Sequence, residues 1–207
     1  MPADKVLEKA RYVSVKDKIL KDVKNKRDYN YDLYVKNKDR LSVWILLEMM
    51  SYGQLASFIK FYVETNRHKS TQLKKASQFL HFSKNARDSA AHSRPILLNI
   101  TEDNQLGGYK EDKQAKIQLK DFLIQSGVNK RTAARLLTNF KIHDLCTLLF
   151  LHNNYIKGTL ARKSRKKEMV RIYKRSLYKK HIYSTDLNFD EITNLFYCLI
   201  KNYRLNC

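Results

Sequence analysis

Residues 41–66 read LSVWILLEMMSYGQLASFIKFYVETN, and how this stretch is read decides the fold class. Trp44, Leu47, Met50 and Leu55 fall near one side of a helix, and Leu46, Met49 and Phe58 widen the stripe. Apolar residues at this spacing make it the strongest helical segment of the chain. The stripe is too dense for a surface helix, so at least its first half is expected to be buried. Glu48 is expected to be buried with it, and a buried carboxyl must be paired or neutral. Gly53 is expected either to split the stretch in two, with SYGQL as the joint, or to permit a close helix crossing.

The neighbouring segments extend the helical pattern. Residues 3–29 carry Val6, Leu7, Ala10, Val13, Val15, Ile19, Leu20 and Val23, an irregular but helical series. DYNYDLYVKNKDR (28–40) reads as a polar, aromatic connector whose tyrosines pin a loop to the core, with RNA contact as the alternative. STQLKKASQFLHFSKNARDSAAHSR (70–94) is the next helix or helix pair, with Leu73, Ala76, Phe79, Leu80 and Phe82 facing inward. Pro95 disfavours helical geometry at Arg94 and marks a boundary. LLNITEDNQLGGYKEDKQAK (97–116) then reads as a loop. A second helical set follows: AKIQLKDFLIQSG (115–127), stopped by Gly127, then NKRTAARLLTNF (129–140) and KIHDLCTLLFLHNNYI (141–156). The tail TDLNFDEITNLFYCLIKNYRL (185–205) has candidate caps at Thr185 or Asn188 and an apolar face of Ile192, Leu195, Phe196 and Leu199. Five glycines and two prolines in 207 residues favour long helices over a turn-rich sandwich. The expectation is an all-α chain with a helical core over 1–99 and a basic helical region over 100–207, packed as one unit or as two lobes.

Charge narrows the partners. Forty-one Lys and Arg against twenty Asp and Glu give a net +21, with a pI near 9.9 and a mean hydropathy of -0.57. That surplus points to a polyanion, with nucleic acid first. No apolar run reaches spanning length, so no membrane partner is expected. The N-terminal stretch lacks the apolar core of a secretion signal, and Cys146, Cys198 and Cys207 fit reduced thiols of a cytoplasmic protein. No glycine-rich nucleotide motif and no metal-ligand spacing occurs, so no cofactor and no metal are expected. Between Lys157 and Lys180 lie eleven Lys and Arg against the single acid Glu168. Arg162, Lys163, Arg165, Lys166, Lys167, Arg171, Lys174 and Arg175 are the candidate RNA-binding residues, because phosphates offset such self-repulsion. NKRTAARLLTNF is short and basic enough to suggest a DNA-recognition helix, though nothing in it specifies base contacts.

One stretch carries chemistry. In ARDSAAHSR (86–94), Arg87 and His92 have four residues between them and Asp88 follows the arginine. A guanidinium holds phosphate by paired hydrogen bonds, and a histidine moves protons near neutral pH. On an ideal helix the two side chains stand about 140° apart, so they converge only if the helix starts, bends or ends between them, or if Arg87 reaches around. Asp88 is able to orient His92 or to cap the helix. RNA brings its own nucleophile, the 2′-OH, so such a set needs no metal. One Arg/His pair is a thin catalytic set, and two copies in a dimer complete it.

The stretch resembles the Arg-x4-6-His motif of HEPN ribonucleases. More narrowly, WILLEMMSYGQL (44–55) followed by RDSAAHSR (87–94) is similar to the Abi family of phage-resistance proteins, the AbiD/AbiF group. The resemblance implies a HEPN-like helical bundle with additional C-terminal helices, and Arg87, His92 and Asp88 as catalytic residues. It makes Glu48, Ser51, Tyr52, Gly53 and Arg94 the framework. It also implies RNA as substrate, a homodimer pairing the two sites, abortive infection as the outcome, and an antitoxin RNA or protein as restraint. Asp88 stands where the Abi pattern has asparagine, and only one residue separates His92 from Arg94 where that pattern has two. Members are typically longer, so a short one lacking the usual N-terminal part is expected. The other expectations to be weighed are a non-catalytic RNA-binding protein of the same fold and a DNA-binding regulator.

Overall fold

The computed structural model describes residues 17–39, 42–65, 70–97, 100, 113–178, 180–183 and 187–203. Among these residues every regular element is a helix and there is no strand, so the chain is all-α. It divides into two compact units, Met1–His81 and Phe82–Cys207.

The first unit holds α1 (residues 17–23), α2 (Tyr31–Asn37), α3 (Val43–Met49), α4 (Tyr52–Glu64) and the start of α5 (Thr71–Ala91). Ile19 and Val23 of α1 pack with Leu46 and Met49 of α3, and Leu33, Tyr34 and Ile45 close the edges of this core. Removing a large apolar side chain of this kind from water contributes roughly 1.5–3 kcal/mol. The break in residues 41–66 falls at Met50–Ser51, and a side chain makes it. Ser51 caps α4, accepting from the Gln54 backbone N–H, while the Gln54 side chain accepts from the Ser51 N–H at 2.8 Å. This reciprocal capping box satisfies two donors that a helix start otherwise leaves open. Gly53 lies inside α4.

Three expectations are corrected in this unit. The first half of the 41–66 stretch is not buried all round: Val43 and Trp44 are 56% and 81% exposed. Because α3 is only two turns long, one i, i+3 pair, Leu46 and Met49, serves its packed side. Glu48 projects to solvent and needs no buried partner. Residues 28–40, read as a connector, contain the helix α2, started by turns in which Asp28 accepts from the Asn30 N–H at 2.8 Å. Of its tyrosines, Tyr34 does reach the core, whereas Tyr29 is fully exposed.

The second unit holds the rest of α5 with α6 (Lys113–Gln125), α7 (Lys130–Leu136), α8 (Phe140–Tyr155), α9 (Thr159–Tyr178), α10 (Lys180–Tyr183) and α11 (Leu187–Lys201). α6 packs on α7 and α8, and α9 packs on α11. Gly127 takes φ +90° and ends α6, with Val128 N–H bonding back to the Leu123 carbonyl at 3.1 Å. Such a left-handed closing residue strains any side chain with a Cβ, which is why glycine stands there. Asn129 and Asn139 cap α7 and α8 by accepting from backbone N–H groups. α11 buries Ile192, Leu195 and Leu199, with Phe196 partly covered. Asn188 lies inside α11 and is no cap, while Thr185 and most of the loop expected over 97–116 lie outside the described residues. Among the described residues no helix is long and apolar enough to cross a membrane.

Candidate functional site

α5 has two faces of opposite character. Phe79, Phe82, Ser83 and Ala86 are buried, Phe79 and Ser83 completely. At about 100° per residue, Lys84, Arg87, Asp88, Ala91 and His92 fall on the side opposite them. The candidate catalytic residues therefore stand on the outward face, over its last two turns. Arg87 and His92 flank this face, and Ala91 lies between them. Ala91 is exposed and presents only a methyl group between them.

α5 runs unbroken from Arg87 to the edge of His92 and closes just after it. Ala91 is its last residue. His92 keeps the helical register through its N–H bond to the Asp88 carbonyl at 3.0 Å. Ser93 then takes φ +52°, Ser93 N–H bonds the Ala90 carbonyl at 3.1 Å, and Arg94 N–H bonds the Ser89 carbonyl at 2.8 Å. This pair of bonds is a Schellman closure with a serine in the left-handed position usually given to glycine. It ends α5 before Pro95, leaving His92 and Arg94 both exposed.

Charge on the outward face is tightly paired. Asp88 accepts from Lys84 Nζ at 2.5 Å on one carboxylate oxygen and from Arg87 at 2.9 Å on the other. The hydrogen bond from Lys84, then that from Arg87, holds its carboxyl below the usual carboxylate range. Asp88 thus stays ionised at neutral pH and fixes two cations on neighbouring turns. Sequence reasoning missed Lys84, although its i, i+4 spacing to Asp88 is a recognisable helix-surface pair.

Beneath this face a polar contact joins α5 to α8. Asn85 Nδ2 donates to Asp144 Oδ2 at 2.9 Å. Asp144 is 3% exposed and the neighbouring His143 is 1% exposed, with the His143 ring edge-on to Phe82 at 4.7 Å. The bond spans 59 positions, and nothing in the local sequence pattern announces it.

The framework residues Glu48, Ser51, Tyr52 and Gly53 belong to the first compact unit, while Arg87, Asp88, His92 and Arg94 belong to the second. Ser51 has a full account as a helix cap. Tyr52 and Gly53 are half-buried in the first turn of α4.

On α9 the basic residues separate by role. Lys167, Arg171, Lys174 and Arg175, with Val170 and Tyr178, line a shallow depression of about 470 Å³. Lys163, also exposed, continues this stripe one turn earlier. Arg165 is paired with Glu168 at 2.6 Å, and Lys166 reaches the Lys201 carbonyl at 3.4 Å. Arg162 is 4% exposed, and its guanidinium donates to the carbonyls of Ile156 and Asn153. It closes the carbonyl end of α8, where a cation also meets the negative end of the helix dipole. Its charge does not face solvent with the rest. α7, the segment that suggested DNA recognition, buries Ala133 and Leu136 and has Arg135 in an ion pair with Glu191.

Other titratable groups are structural in setting. Tyr203 meets His152 Nδ1 at 2.5 Å. Burial first, then the fields of Arg165 and Arg162, lowers the His152 pKa, while burial raises that of Tyr203. Burial pushes the Cys146 thiol up to about 12. Among the described residues no three His, Cys, Asp or Glu side chains gather as a metal ion would need.

Residues 3–97 match the family model described as Abi-like protein, a span that ends just past the Schellman closure and Pro95. No curated protein and no solved structure matches the chain.

Proposed function

We propose, for a chain whose residues 3–97 match the Abi-like family model, that it is a metal-independent endoribonuclease of the HEPN type. That family match supports the coarser part of this reading, a role related to phage abortive infection. The finer part rests on one observation: Arg87 and His92 flank the outward side of α5, opposite its packed side, with the Asp88 carboxylate and Ala91 between them.

In this reading a phosphodiester lies over Ala91. A basic group removes the proton of the 2′-OH, and that oxygen attacks phosphorus. The 5′-oxygen leaves with a proton from an acidic group, giving a 2′,3′-cyclic phosphate and a 5′-hydroxyl. His92 is one proton-transfer group, and Arg87 steadies the charge that builds on the phosphorane. Asp88 holds Arg87 in place. A second copy of the chain supplies the other proton-transfer group, so the working form is a homodimer. The stripe of Lys163, Lys167, Arg171, Lys174 and Arg175 holds the RNA backbone away from the cut.

The deciding experiment replaces His92 and Arg87 separately with alanine and assays cleavage of single-stranded and hairpin RNA in the presence of chelator. Each change is expected to cripple cleavage, while His92→Ala leaves RNA binding nearly intact. Products end in 2′,3′-cyclic phosphate, and 2′-deoxy substitution at the cut blocks the reaction. Cleavage that requires Mg²⁺, or that persists at the same rate in folded His92→Ala protein, refutes the mechanism. The exposed stripe on α9 does not depend on the α5 site, and it favours the second reading. That reading is a non-catalytic RNA-binding protein restrained by a small RNA or an antitoxin. Tight RNA binding without cleavage by the unaltered chain selects it.

A further inference from the structure

Lys84 has no place in the Arg/His motif, yet the structure ties it to that motif directly. Its ammonium lies 2.5 Å from Asp88 Oδ2, while Arg87 holds Asp88 Oδ1 at 2.9 Å. One carboxylate therefore carries a different cation on each oxygen. An ammonium has three donors, so Lys84 keeps hydrogen-bonding capacity after serving Asp88. Lys84 sits on the same outward face as His92, two turns earlier, or about 12 Å along the axis at the rise of an α-helix. Asn85, the next residue, turns instead to Asp144. The Lys84 side chain is 39% exposed, so a ligand reaches it without opening the fold.

We propose that Lys84 forms a subsite for the phosphodiester adjacent to the scissile one, with the RNA strand running along the outward face of α5. This rests on the ribonuclease reading above. A phosphate over Ala91 is served by Arg87 and His92, and the next phosphate toward the start of the helix meets Lys84. Asp88 is the positioning residue for both cations. It keeps Lys84 and Arg87 on adjacent turns, so that two phosphates are met by two prealigned charges. A helix-surface ion pair with no ligand role predicts something else: loss of a little helix stability and no dependence on the charge of the substrate.

The test compares Lys84→Ala and Lys84→Arg with the unaltered residue, each in the His92→Ala chain so that RNA remains uncut during binding. The probe is a short single-stranded RNA, alone and with one flanking phosphate replaced by a neutral methylphosphonate. Lys84→Ala is expected to weaken binding about three- to tenfold at low salt and to flatten the log–log salt slope by about 0.7. The methylphosphonate next to the scissile position reproduces that loss in the Lys84 chain and adds nothing in Lys84→Ala, as a double-mutant cycle requires. Lys84→Arg retains most of the affinity. With His92 restored, Lys84→Ala raises KM while kcat stays within about twofold. Unchanged binding, or losses from variant and methylphosphonate that simply add, overturns the subsite and leaves the ribonuclease reading standing. An unaltered chain that cuts no RNA takes both down.

Discussion

Asn85→Ala tests how firmly the end of α5 that carries the candidate site is held. The substitution removes the donor from Asp144 Oδ2 and leaves that carboxyl with the His143 ring, whose Nδ1 stands 3.6 Å from Oδ1, beyond hydrogen-bond reach. Asp144 is 3% exposed, so water does not readily replace the lost partner. A hydrogen bond to a carboxylate contributes roughly 1.5–3 kcal/mol, and an acceptor stranded by removal of its donor costs the full desolvation of that group. Asn85→Ala is therefore expected to destabilise the chain by about 2–3 kcal/mol. For a protein of this length that lowers Tm by about 5–10 °C. Removing both partners relieves the stranded acceptor, so the double variant with Asp144→Ala should cost less than the sum of the single changes, by about 1.5 kcal/mol or more. Thermal melts followed by circular dichroism in all four chains measure the cycle. Additive losses, or an Asn85→Ala melt within about 0.5 kcal/mol of the unaltered chain, refute the tether.

Further outcomes can be checked in the same preparations. Ala91→Phe, on an exposed face, should leave the melt unchanged but fill the place proposed for the scissile phosphate between Arg87 and His92, lowering cleavage by about a hundredfold or more, a loss expected from misplacing substrate. Ser93→Gly relieves a left-handed serine and is expected to stabilise by about 0.5–1 kcal/mol, read as a higher melting temperature with cleavage retained. Changing Lys167, Arg171, Lys174 and Arg175 together to alanine should weaken binding of all RNA sequences alike and flatten its salt dependence, whereas Arg162→Ala should lower the melting temperature instead. The His152 pKa is lowered in the fold, so between its folded and ordinary values the unfolded chain binds more protons and stability rises with pH. Stability should thus fall as the pH drops through about 6.5, the ordinary histidine value, and level off below the folded value, and His152→Gln should flatten that slope.

What was legible in the sequence was local. Gly127 as a helix stop is a backbone demand that one residue reveals, and Pro95 marked a boundary close to the end of α5, although the stop itself is the closure at Ser93. The SYGQ turn also marked the joint between α3 and α4, but its physical cause is the Ser51–Gln54 box and not the glycine. Periodicity placed Phe79 and Phe82 inward, and with them it fixes which side of α5 carries Arg87 and His92. It misjudged α3 because apolar density is not burial: a two-turn helix has one packed edge, and Trp44 and Glu48 lie off it. Charge runs gave position without role. Nothing in KGTLARKSRKK distinguishes Arg162, which closes α8, from Lys163 beside it. The Asn85–Asp144 bond joins residues far apart in the chain, and only the packing of α5 on α8 creates it.

Trp44 is the only tryptophan in the chain, and its exposure on α3 gives the protein a single optical reporter at one known place. Its emission should already be red-shifted in the folded state, as expected of an indole in water. Denaturation will then change the signal little, and fluorescence alone would make an intact chain look unfolded. Coverage is another matter. A blue shift that grows with protein concentration would place a second copy over α3, and one that appears only with RNA would place the nucleic acid there. An unmoved spectrum in a dimer that scattering detects would put the seam elsewhere, with no label and no substitution.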